Sequence, residues 1–299
     1  MRWRLGSVLG LSLALGVQTA PVDGQTTALA GVIDFHVHSG PDSRPRSVSD
    51  LEIARIAKRA GMRGLVFKNH FTMTADRAWL AMQEVDGIEI FGGVALNHAV
   101  GGLNAEAVRQ LAAFSGGRGK VVWLPTFDAE FWMTRAGDPG TFVPVMRGGA
   151  PDPALGEIFD LIAEHNLVLA MGHSSPEEVL ALIPEARRRG VEHILITHGL
   201  GQQPSRDQIA EMVRQGAIIE LVWLAVYNGE FRLAEYTAAI TEFGARHFLL
   251  SSDFGQENNP LHTDGLTAFI VGLRQEGISD ADIDLMIRRN PSRLLGLDP

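Results

Sequence analysis

The sequence contains no cysteine among its 299 residues. Disulfide bonds, thiolate metal ligands and a cysteine nucleophile are therefore excluded, and any metal site must be built from histidine and carboxylate side chains. Three well-known motifs are also missing: the Gly-x-Ser-x-Gly nucleophile elbow, the phosphate loop that ends in Gly-Lys-Ser/Thr, and the Gly-x-Gly-x-x-Gly fingerprint. The sequence thus gives no support for serine-hydrolase, P-loop or dinucleotide-dependent chemistry.

Clustered positive charge is missing as well. The formal net charge is −9, and there is no lysine or arginine stripe and no run of like charges. Nucleic acid and anionic membranes are therefore not expected as partners. No segment after residue 30 is apolar enough to cross a membrane. We expect the partner to be a small-molecule substrate, while assembly into a homo-oligomer stays open.

The first thirty residues differ from the rest of the chain. Arg2 and Arg4 precede an uncharged apolar run at 5–17, and a stretch of small residues follows at 19–30. A basic start, an apolar middle and a small-residue end are typical of a secretory signal peptide, so we predict a leader at 1–30 and export to the periplasm. The alternative is a start codon placed too far upstream of a cytoplasmic enzyme.

Eight short apolar runs recur along the remaining chain, and helical patterns separate most of them. They lie near residues 31–37, 64–68, 90–96, 120–125, 167–172, 193–197, 217–222 and 247–252. Eight alternations of strand and helix predict a single-domain α/β fold, a (β/α)₈ TIM-type barrel over residues 31–299. A doubly wound open sheet is the alternative, because a sequence does not show closure.

Capping residues and one long connection mark the segments between these runs. Ser49, Asn104 and Ser175 each precede a helical pattern and are predicted N-caps, the last with a proline at the first helical position. The longest connection, from Phe127 to Asp152, is rich in glycine and proline. A connection of this length in a compact domain predicts a lid or binding loop.

Two histidines one residue apart, at the end of the first run, are the most informative feature. A regular strand alternates its faces, so His36 and His38 point to the same side. The predicted faces are Val32, Asp34, His36 and His38 on one side, and Ile33, Phe35 and Val37 on the apolar other side. Two neighbouring imidazoles suit a divalent metal ion, because neutral ring nitrogens are common metal ligands.

Further residues of ligand type end the later runs. They are His70, His98, His173, His198 and Asp253. Parallel α/β folds build their active sites at this carboxyl end of the strands. We therefore expect a divalent metal, most readily Zn²⁺, with a position left open for water, at His36, His38, His173, His198 and Asp253. Asp253 and His198 are the predicted catalytic residues, with Asp253 moving the proton.

Other polar side chains are expected around the same mouth. The candidates for substrate binding are Lys68, His70, Asn97, His98, Trp123, Thr126 and, from the first loop, Arg46. A capping or packing role is an equal alternative for all of them except Lys68, since asparagine and threonine often serve backbone turns. The alternative for Lys68, a plain exposed lysine, does not suit its place between Phe67 and Asn69 in a buried strand.

These positions resemble the motifs of the amidohydrolase superfamily, and in particular its branch of poorly characterised hydrolase-like barrels. The resemblance runs from about Gly31 to the end of the chain, with His36-x-His38 on the first strand, His173 and His198 on the fifth and sixth, and Asp253 on the eighth. It implies a distorted barrel, one or two divalent metals and hydrolysis of an amide, lactone or ester. Some members instead decarboxylate or isomerise their substrates.

One departure from that family concerns its bridging lysine. Two-metal members commonly carry a carboxylated lysine or a glutamate at the end of the fourth strand, whereas Lys120 here opens that strand. Lys68 lies at the end of the second strand. We predict that it binds a substrate carboxylate as an ammonium group, with a displaced metal bridge as the alternative. The choice between one metal and two stays open.

The leading functional prediction is a metal-dependent hydrolase. It would use a metal-activated water on the carbonyl carbon of an amide, cyclic imide or lactone in a small anionic substrate. One alternative is non-oxidative decarboxylation of a small carboxylic acid. The alternative from another class is a catalytically silent protein that holds a metal.

Overall fold

Eight parallel strands form the barrel in a computed structural model that describes residues 28–298. They are β1 (Ile33–Val37), β2 (Gly64–Phe67), β3 (Glu89–Ala95), β4 (Gly119–Trp123), β7 (Val168–Ala170), β8 (His193–Ile196), β9 (Ile218–Val222) and β10 (Phe248–Ser251). β5 (Met146–Arg147) and β6 (Ala150–Pro151) pair separately as an antiparallel hairpin. Each barrel strand pairs with the next one in chain order. The predicted barrel is confirmed.

The barrel closes between its first and last strands through the residues that follow β10. Asp253 donates its backbone N–H to His36 O at 2.9 Å, and His38 donates to Phe254 O at 2.8 Å. These bonds lie at the carboxyl end of the strands, beyond the last paired residue of β10. The alternative of an open sheet is therefore wrong.

A bulge in β1 changes the predicted faces of this strand. Its pairing with β2 shifts register between Asp34 and Val37, because β1 carries an extra residue there. Ile33 and Phe35 pack inside the barrel, in a cluster to which all eight strands contribute, whereas Val37 packs in the outer layer between sheet and helices. The prediction that Val37 shares the face of Ile33 and Phe35 is thus wrong. The Asp34 carboxylate accepts hydrogen bonds from Ser252, the residue after β10, and from the backbone N–H of His36.

Helices connect the strands and cover the outside of the barrel. They span Asp50–Arg59, Ala75–Glu84, Ala105–Ala112, Glu130–Ala136, Leu155–Glu164, Pro176–Arg188, Arg206–Arg214, Trp223–Tyr227, Leu233–Phe243, His262–Gln275, Asp280–Asp284 and Asn290–Leu295, the last two joined by a π-helical turn at Leu285–Arg289. None of these helices, within residues 28–298, is long and apolar enough to span a membrane.

The predicted capping residues are confirmed. Ser49 and Ser175 each form a capping box with the glutamate three residues later, and Pro176 occupies the first turn of its helix. The Asn104 side chain accepts hydrogen bonds from two backbone N–H groups of the next turn. Each cap satisfies N–H groups that a helix start leaves unpaired, so these sequences fix where the helices begin.

The predicted leader falls mostly outside the described part of the chain, which begins at residue 28. Within that part, Leu29 is buried in the outer core layer. Arg288, near the end of the chain, donates hydrogen bonds to the carbonyls of Ala28 and Ala30. The export prediction and the domain boundary at residue 30 stay predictions.

Candidate metal centre

The ends of β1, β8 and β10 bring three histidines around one carboxylate. His36 Nε2 and His38 Nε2 lie 3.0 and 3.1 Å from Asp253 Oδ1. His198 Nδ1 lies 3.4 Å from the other oxygen, Asp253 Oδ2. His36, His38 and Asp253 are buried, and their ligand atoms all lie within 4.8 Å of one another. Atoms this close can share one divalent ion.

His173, which follows β7, lies one ring away from this group. Its ring centroid is 5.3 Å from that of His198, and its buried Nδ1 has no hydrogen-bond partner in the part of the chain that the structure describes. The preceding Gly172 has a φ of 59°, and a Cβ there would approach Leu124 O and Pro125 O to 2.3 Å. Only glycine fits this turn, which carries His173 against the end of the neighbouring strand β4.

The backbone is strained at two of the predicted ligands. His198 and Asp253 have φ angles of 49° and 55°, in the left-handed region that disfavours a Cβ. Such a residue costs about 1–3 kcal/mol and persists only when its surroundings hold it. A carboxylate of β9 holds the His198 N–H, and the His36 carbonyl holds the Asp253 N–H. Strain of this kind is typical of functional sites.

That carboxylate of β9 is Glu220, which the sequence analysis missed. Both of its oxygens lie 3.2 Å from His36 Nδ1, and Oε2 accepts the His198 backbone N–H at 3.2 Å. Ser251 Oγ donates to Oε1 at 2.9 Å. Burial alone would raise the pKa of Glu220, but the charges of His36, His198 and Lys68 hold it at about 2. The side chain is therefore an ionised carboxylate inside the barrel.

Lys68 reaches the same interior from the end of β2. Its side chain is 1% exposed, and its Nζ has no hydrogen-bond partner within residues 28–298. Nζ lies 5.4 Å from the centre of the Trp123 ring. Burial lowers the pKa of Lys68 to about 8, although Asp253 and Glu220 oppose this shift. The backbone carbonyl of Lys68 also accepts from His38 Nδ1 at 3.0 Å, which leaves His38 Nε2 facing Asp253.

Most of the candidate ligand histidines have the protonation state that a divalent metal needs. His36 is the exception: burial would lower its pKa, but the carboxylates of Asp253 and Glu220 raise it, so a bound ion would displace a proton from this ring. Burial lowers the pKa of His38 to about 3 and that of His198 to about 4, and it holds the pKa of His173 well below its usual range. Neutral imidazoles and ionised carboxylates are the forms that ligate metals. The Asp253 carboxyl stays ionised because His36 and His198 outweigh its burial and hold its pKa well below the usual range. Among the described residues 28–298, His36 Nε2, His198 Nε2 and His173 Nδ1 are buried and have no hydrogen-bond partner. The donor set therefore fits a divalent ion.

A cavity of about 630 Å³ opens onto this group. Its floor is formed by His38, His70, His173, His198 and Asp253, and its walls by residues that include Phe127, Trp132, Val222, Leu224 and Ala225. The charged residues that line it, apart from the histidines and Asp253, are three arginines and one glutamate: Arg44, Arg46, Arg135 and Glu230. Phe127, Trp132 and Arg135 come from the long connection between β4 and β7, which was predicted to be a lid or binding loop.

Comparison with known proteins gives this chain a family. A model of the family described as "Family of unknown function (DUF6282)" matches residues 31–220. The chain belongs to this family. The matched segment of the DUF6282 protein carries every candidate site residue of the first six barrel strands and ends at Glu220, before Asp253.

One curated protein resembles part of the chain. The "Phosphotriesterase homology protein" of Escherichia coli (strain K12) is 26% identical over an alignment of 159 residues. The match covers 46% of this chain and 54% of that protein. The match therefore spans about half the length of the curated relative.

Solved structures share the fold over nearly the whole chain. An amidohydrolase from Pseudomonas aeruginosa has a TM-score of 0.63 at 10% identity and covers 91% of this chain and 97% of its own. The organophosphorus hydrolase from Deinococcus radiodurans has a TM-score of 0.60 at 16% identity and covers 90% and 94%. The fold of the DUF6282 protein is thus that of the amidohydrolase and phosphotriesterase-like barrels, as the resemblance predicted.

Some predicted substrate-binding residues of the DUF6282 protein lie behind the cavity rather than on its wall. Asn97 donates to Thr126 Oγ1 and to His70 O, and its own oxygen accepts the Thr126 backbone N–H. Thr126 Oγ1 in turn contacts His70 Nδ1 at 2.9 Å. Asn97 and Thr126 therefore fix the position of His70, which does line the cavity.

Trp123 and His98 occupy two further positions away from the cavity wall. Trp123 is buried inside the barrel, 6.4 Å from the His36 ring. His98 is exposed, and its backbone N–H and its ring bind Asp128 and Thr141 of the long connection. The structure brings neither side chain to the cavity. Their predicted roles in substrate binding stay predictions.

Proposed function

We propose that this protein is a metal-dependent hydrolase that uses an activated water on a carbonyl carbon, in an amide, a cyclic imide or a lactone. The observation that carries the proposal is the approach of three imidazoles to Asp253, within 3.0–3.4 Å, at the floor of an open cavity. The amidohydrolase and organophosphorus hydrolase folds support it. His36, His38, His173, His198 and Asp253 would hold the ion, and Zn²⁺ suits this nitrogen-rich set.

The two oxygens of Asp253 have different surroundings, which gives each a different task. A bound divalent ion polarises a carbonyl group and lowers the pKa of water. Oδ1 faces both histidines of β1, whereas Oδ2 faces only His198. Oδ2 is therefore the oxygen that takes the proton from water and returns it to the leaving group. His198 Nδ1 holds that oxygen in place.

The charges along the cavity favour an anionic substrate. Arg46 is paired with Asp42, to which it donates from both Nε and the guanidinium end. Arg44 has no carboxylate partner within residues 28–298, and its guanidinium lies 4.3 Å from the centre of the Phe127 ring. Among residues 28–298, the Arg135 guanidinium donates one hydrogen bond, to the backbone carbonyl of Gly201, and it pairs with no carboxylate. Two arginines at the mouth are thus available to an anion. Lys68 is buried and does not line the cavity, so an anion would have to enter the barrel interior to reach it.

A column of stacked rings shapes one wall of the cavity. The His38 and His70 ring centroids are 5.1 Å apart, those of His70 and Phe127 are 4.0 Å apart, and Arg44 stacks on Phe127. Trp132 stands beside Phe127, with ring centroids 6.0 Å apart. This wall suits a flat or aromatic substrate portion between the reacting carbonyl and an anionic group that reaches Arg44.

A substrate panel tests the proposed function. Amides, cyclic imides, lactones and aromatic acids are incubated with Zn²⁺-loaded protein, with and without a chelator, while acid release and CO₂ release are followed. We expect chelator-sensitive acid release from a member of the first three classes. Release of CO₂ would favour the decarboxylase, and no turnover would favour a metal-holding binding protein. Hydrolysis that survives complete metal removal would contradict the proposed mechanism.

Arg44 gives a second test, on substrate charge. In Arg44→Gln we expect KM to rise roughly tenfold for a carboxylate-bearing lactone or ester, because a rim cation that attracts the anion is lost. KM for the matched methyl ester should stay unchanged. Arg274→Gln, which removes an exposed arginine on an outer helix, is the matched control. An equal rise of KM for both substrates would argue against anion recognition by Arg44.

A further inference from the structure

Glu220 has no role in the proposed chemistry, yet it binds residues from three other strands. Its carboxylate contacts the ring of His36 from β1, the backbone of His198 after β8, and the hydroxyl of Ser251 in β10. Its backbone carbonyl accepts the N–H of Gly199 at 2.9 Å. A single buried side chain thus connects two of the five predicted metal ligands.

The contact with His36 determines which ring nitrogen carries the proton. Both Glu220 oxygens lie 3.2 Å from Nδ1, and a carboxylate accepts hydrogen bonds but does not donate them. Nδ1 therefore carries a proton. Nε2 lies 3.0 Å from Asp253 Oδ1 but makes no hydrogen bond within residues 28–298, so in the neutral His36 ring the lone pair lies on Nε2. That is the nitrogen a metal ion would need.

The contact with His198 acts on the backbone rather than on the ring. His198 has a φ of 49°, and its N–H points to Glu220 Oε2 at 3.2 Å. The next N–H, that of Gly199, binds the Glu220 carbonyl. Two consecutive hydrogen bonds to one residue of β9 hold a strained turn, and this turn directs the His198 ring toward Asp253 Oδ2.

We propose that Glu220 is a positioning residue that holds His36 in its Nδ1–H tautomer, with Nε2 aimed at the metal, and fixes the turn that presents His198. The inference rests on the proposed metal-dependent function. Carboxylates that orient metal-binding histidines in this way commonly change metal affinity 10- to 100-fold when they are lost. Ser251 holds the carboxylate itself by donating to Oε1.

The rival role for Glu220 is direct metal ligation. Ligand atoms of His36, His198 and Glu220 also lie within 4.8 Å of one another, so this second group could hold an ion. The nitrogen nearest to Glu220 is His36 Nδ1, so such a site would use this nitrogen in place of its proton. The Zn²⁺ affinity of Glu220→Gln separates the two roles, because an amide keeps an oxygen that accepts the Nδ1–H but replaces the carboxylate a metal would bind.

The experiment measures tautomer and metal affinity in the full chain. Metal-free protein labelled with ¹⁵N-histidine is studied by NMR at a pH high enough for the His36 ring to be neutral, with His36→Gln used to assign the His36 signals. Zn²⁺ affinity is then measured by chelator competition. We expect the parent to show the Nδ1–H tautomer, and Glu220→Met to lose it and bind Zn²⁺ about 10- to 100-fold more weakly. Glu220→Gln, which keeps an acceptor oxygen, should recover the tautomer and most of the affinity.

Two controls separate positioning from a general loss of structure. Asp34→Asn changes a further buried carboxylate of β1, which accepts from Ser252 and from the backbone N–H of His36 but contacts no ring. It should leave the His36 tautomer unchanged. Thermal unfolding of each variant reports on its stability independently.

Three results would overturn the inference. They are an Nε2–H tautomer in the parent, parent-like affinity and tautomer in Glu220→Met, and loss of Zn²⁺ in Glu220→Gln as complete as in His36→Ala, which would make Glu220 a ligand. A parent that binds no divalent ion but shows the Nδ1–H tautomer would contradict the proposed function, while the effect of Glu220 on the His36 tautomer would still be measured.

Discussion

Asp253→Asn is expected to lower kcat by about two to four orders of magnitude, the usual contribution of a positioned acid–base group. Asparagine preserves the size of the side chain and one oxygen that can face His36 and His38. It cannot take a proton at the position of Oδ2, which lies 3.4 Å from His198 Nδ1. The measurement is kcat on the best substrate of the panel at saturating Zn²⁺, with bound metal determined by elemental analysis.

The metal content decides how that loss is interpreted. A fall in kcat at parent-like metal content assigns the proton transfer to Asp253. A fall that follows the bound metal in proportion would instead limit Asp253 to ligation. Full activity in a metal-loaded Asp253→Asn protein would contradict the mechanism as a whole.

Lys68→Met is expected to raise KM for an anionic substrate by about one to three orders of magnitude, at about 1.4 kcal/mol for each tenfold change, while bound metal is retained. A buried ammonium group without a partner costs free energy unless an anion meets it. Asp253 and Glu220 are near enough to influence its pKa, but neither forms a hydrogen bond to Nζ. A substrate carboxylate is therefore the expected partner.

The alternative for Lys68 is a carboxylated side chain that bridges two metal ions. Carboxylation replaces the ammonium cation by an anionic carbamate, and this anion could hold the second of the two metal ions. Under this alternative Lys68→Met should lose about half of the bound metal. Lys120→Met is the matched control, because Lys120 lies half-buried at the opposite end of the barrel, at the start of β4. Unchanged metal content and unchanged KM would dismiss both roles.

The order and position of the strands could be predicted from the sequence because each buried strand appears as an apolar run that ends in a polar ligand type. The run at 193–197 became β8 (His193–Ile196), and the run at 247–252 became β10 (Phe248–Ser251). Parallel strands in chain order bring all their carboxyl ends to one side. The sequence pattern alone therefore predicts that His36, His198 and Asp253 lie close together.

Glu220 could not be found by that reasoning, since it lies in the middle of an apolar run and not at its end. The available signal was a single carboxylate in Ile218–Val222, a strand that is otherwise entirely apolar and buried. An ionised group in such a place needs charged or hydrogen-bonding partners, so an unexplained buried glutamate predicts a polar group nearby. The partners themselves depend on barrel closure and on side-chain directions, which local sequence does not encode.

The bulge in β1 escaped prediction for a related reason. Alternation of faces holds only while two strands stay in register, and an extra residue between Asp34 and Val37 breaks it. Nothing in the composition of this run marks the position. The stacked wall was also not foreseen, because Phe127 and Trp132 meet His70 and His173 only after the long connection has folded back over the barrel.

That long connection keeps part of the cavity wall separate from the strands that build the barrel. The predicted ligands are distributed over strands whose pairing builds the barrel, so altering one of them endangers both chemistry and folding. Phe127, Trp132 and Arg135 instead belong to one surface segment, anchored by Asn97 and Asp128. Insertions or substitutions within this segment can therefore change the shape of the substrate cavity while the predicted metal ligands on the barrel strands stay in place.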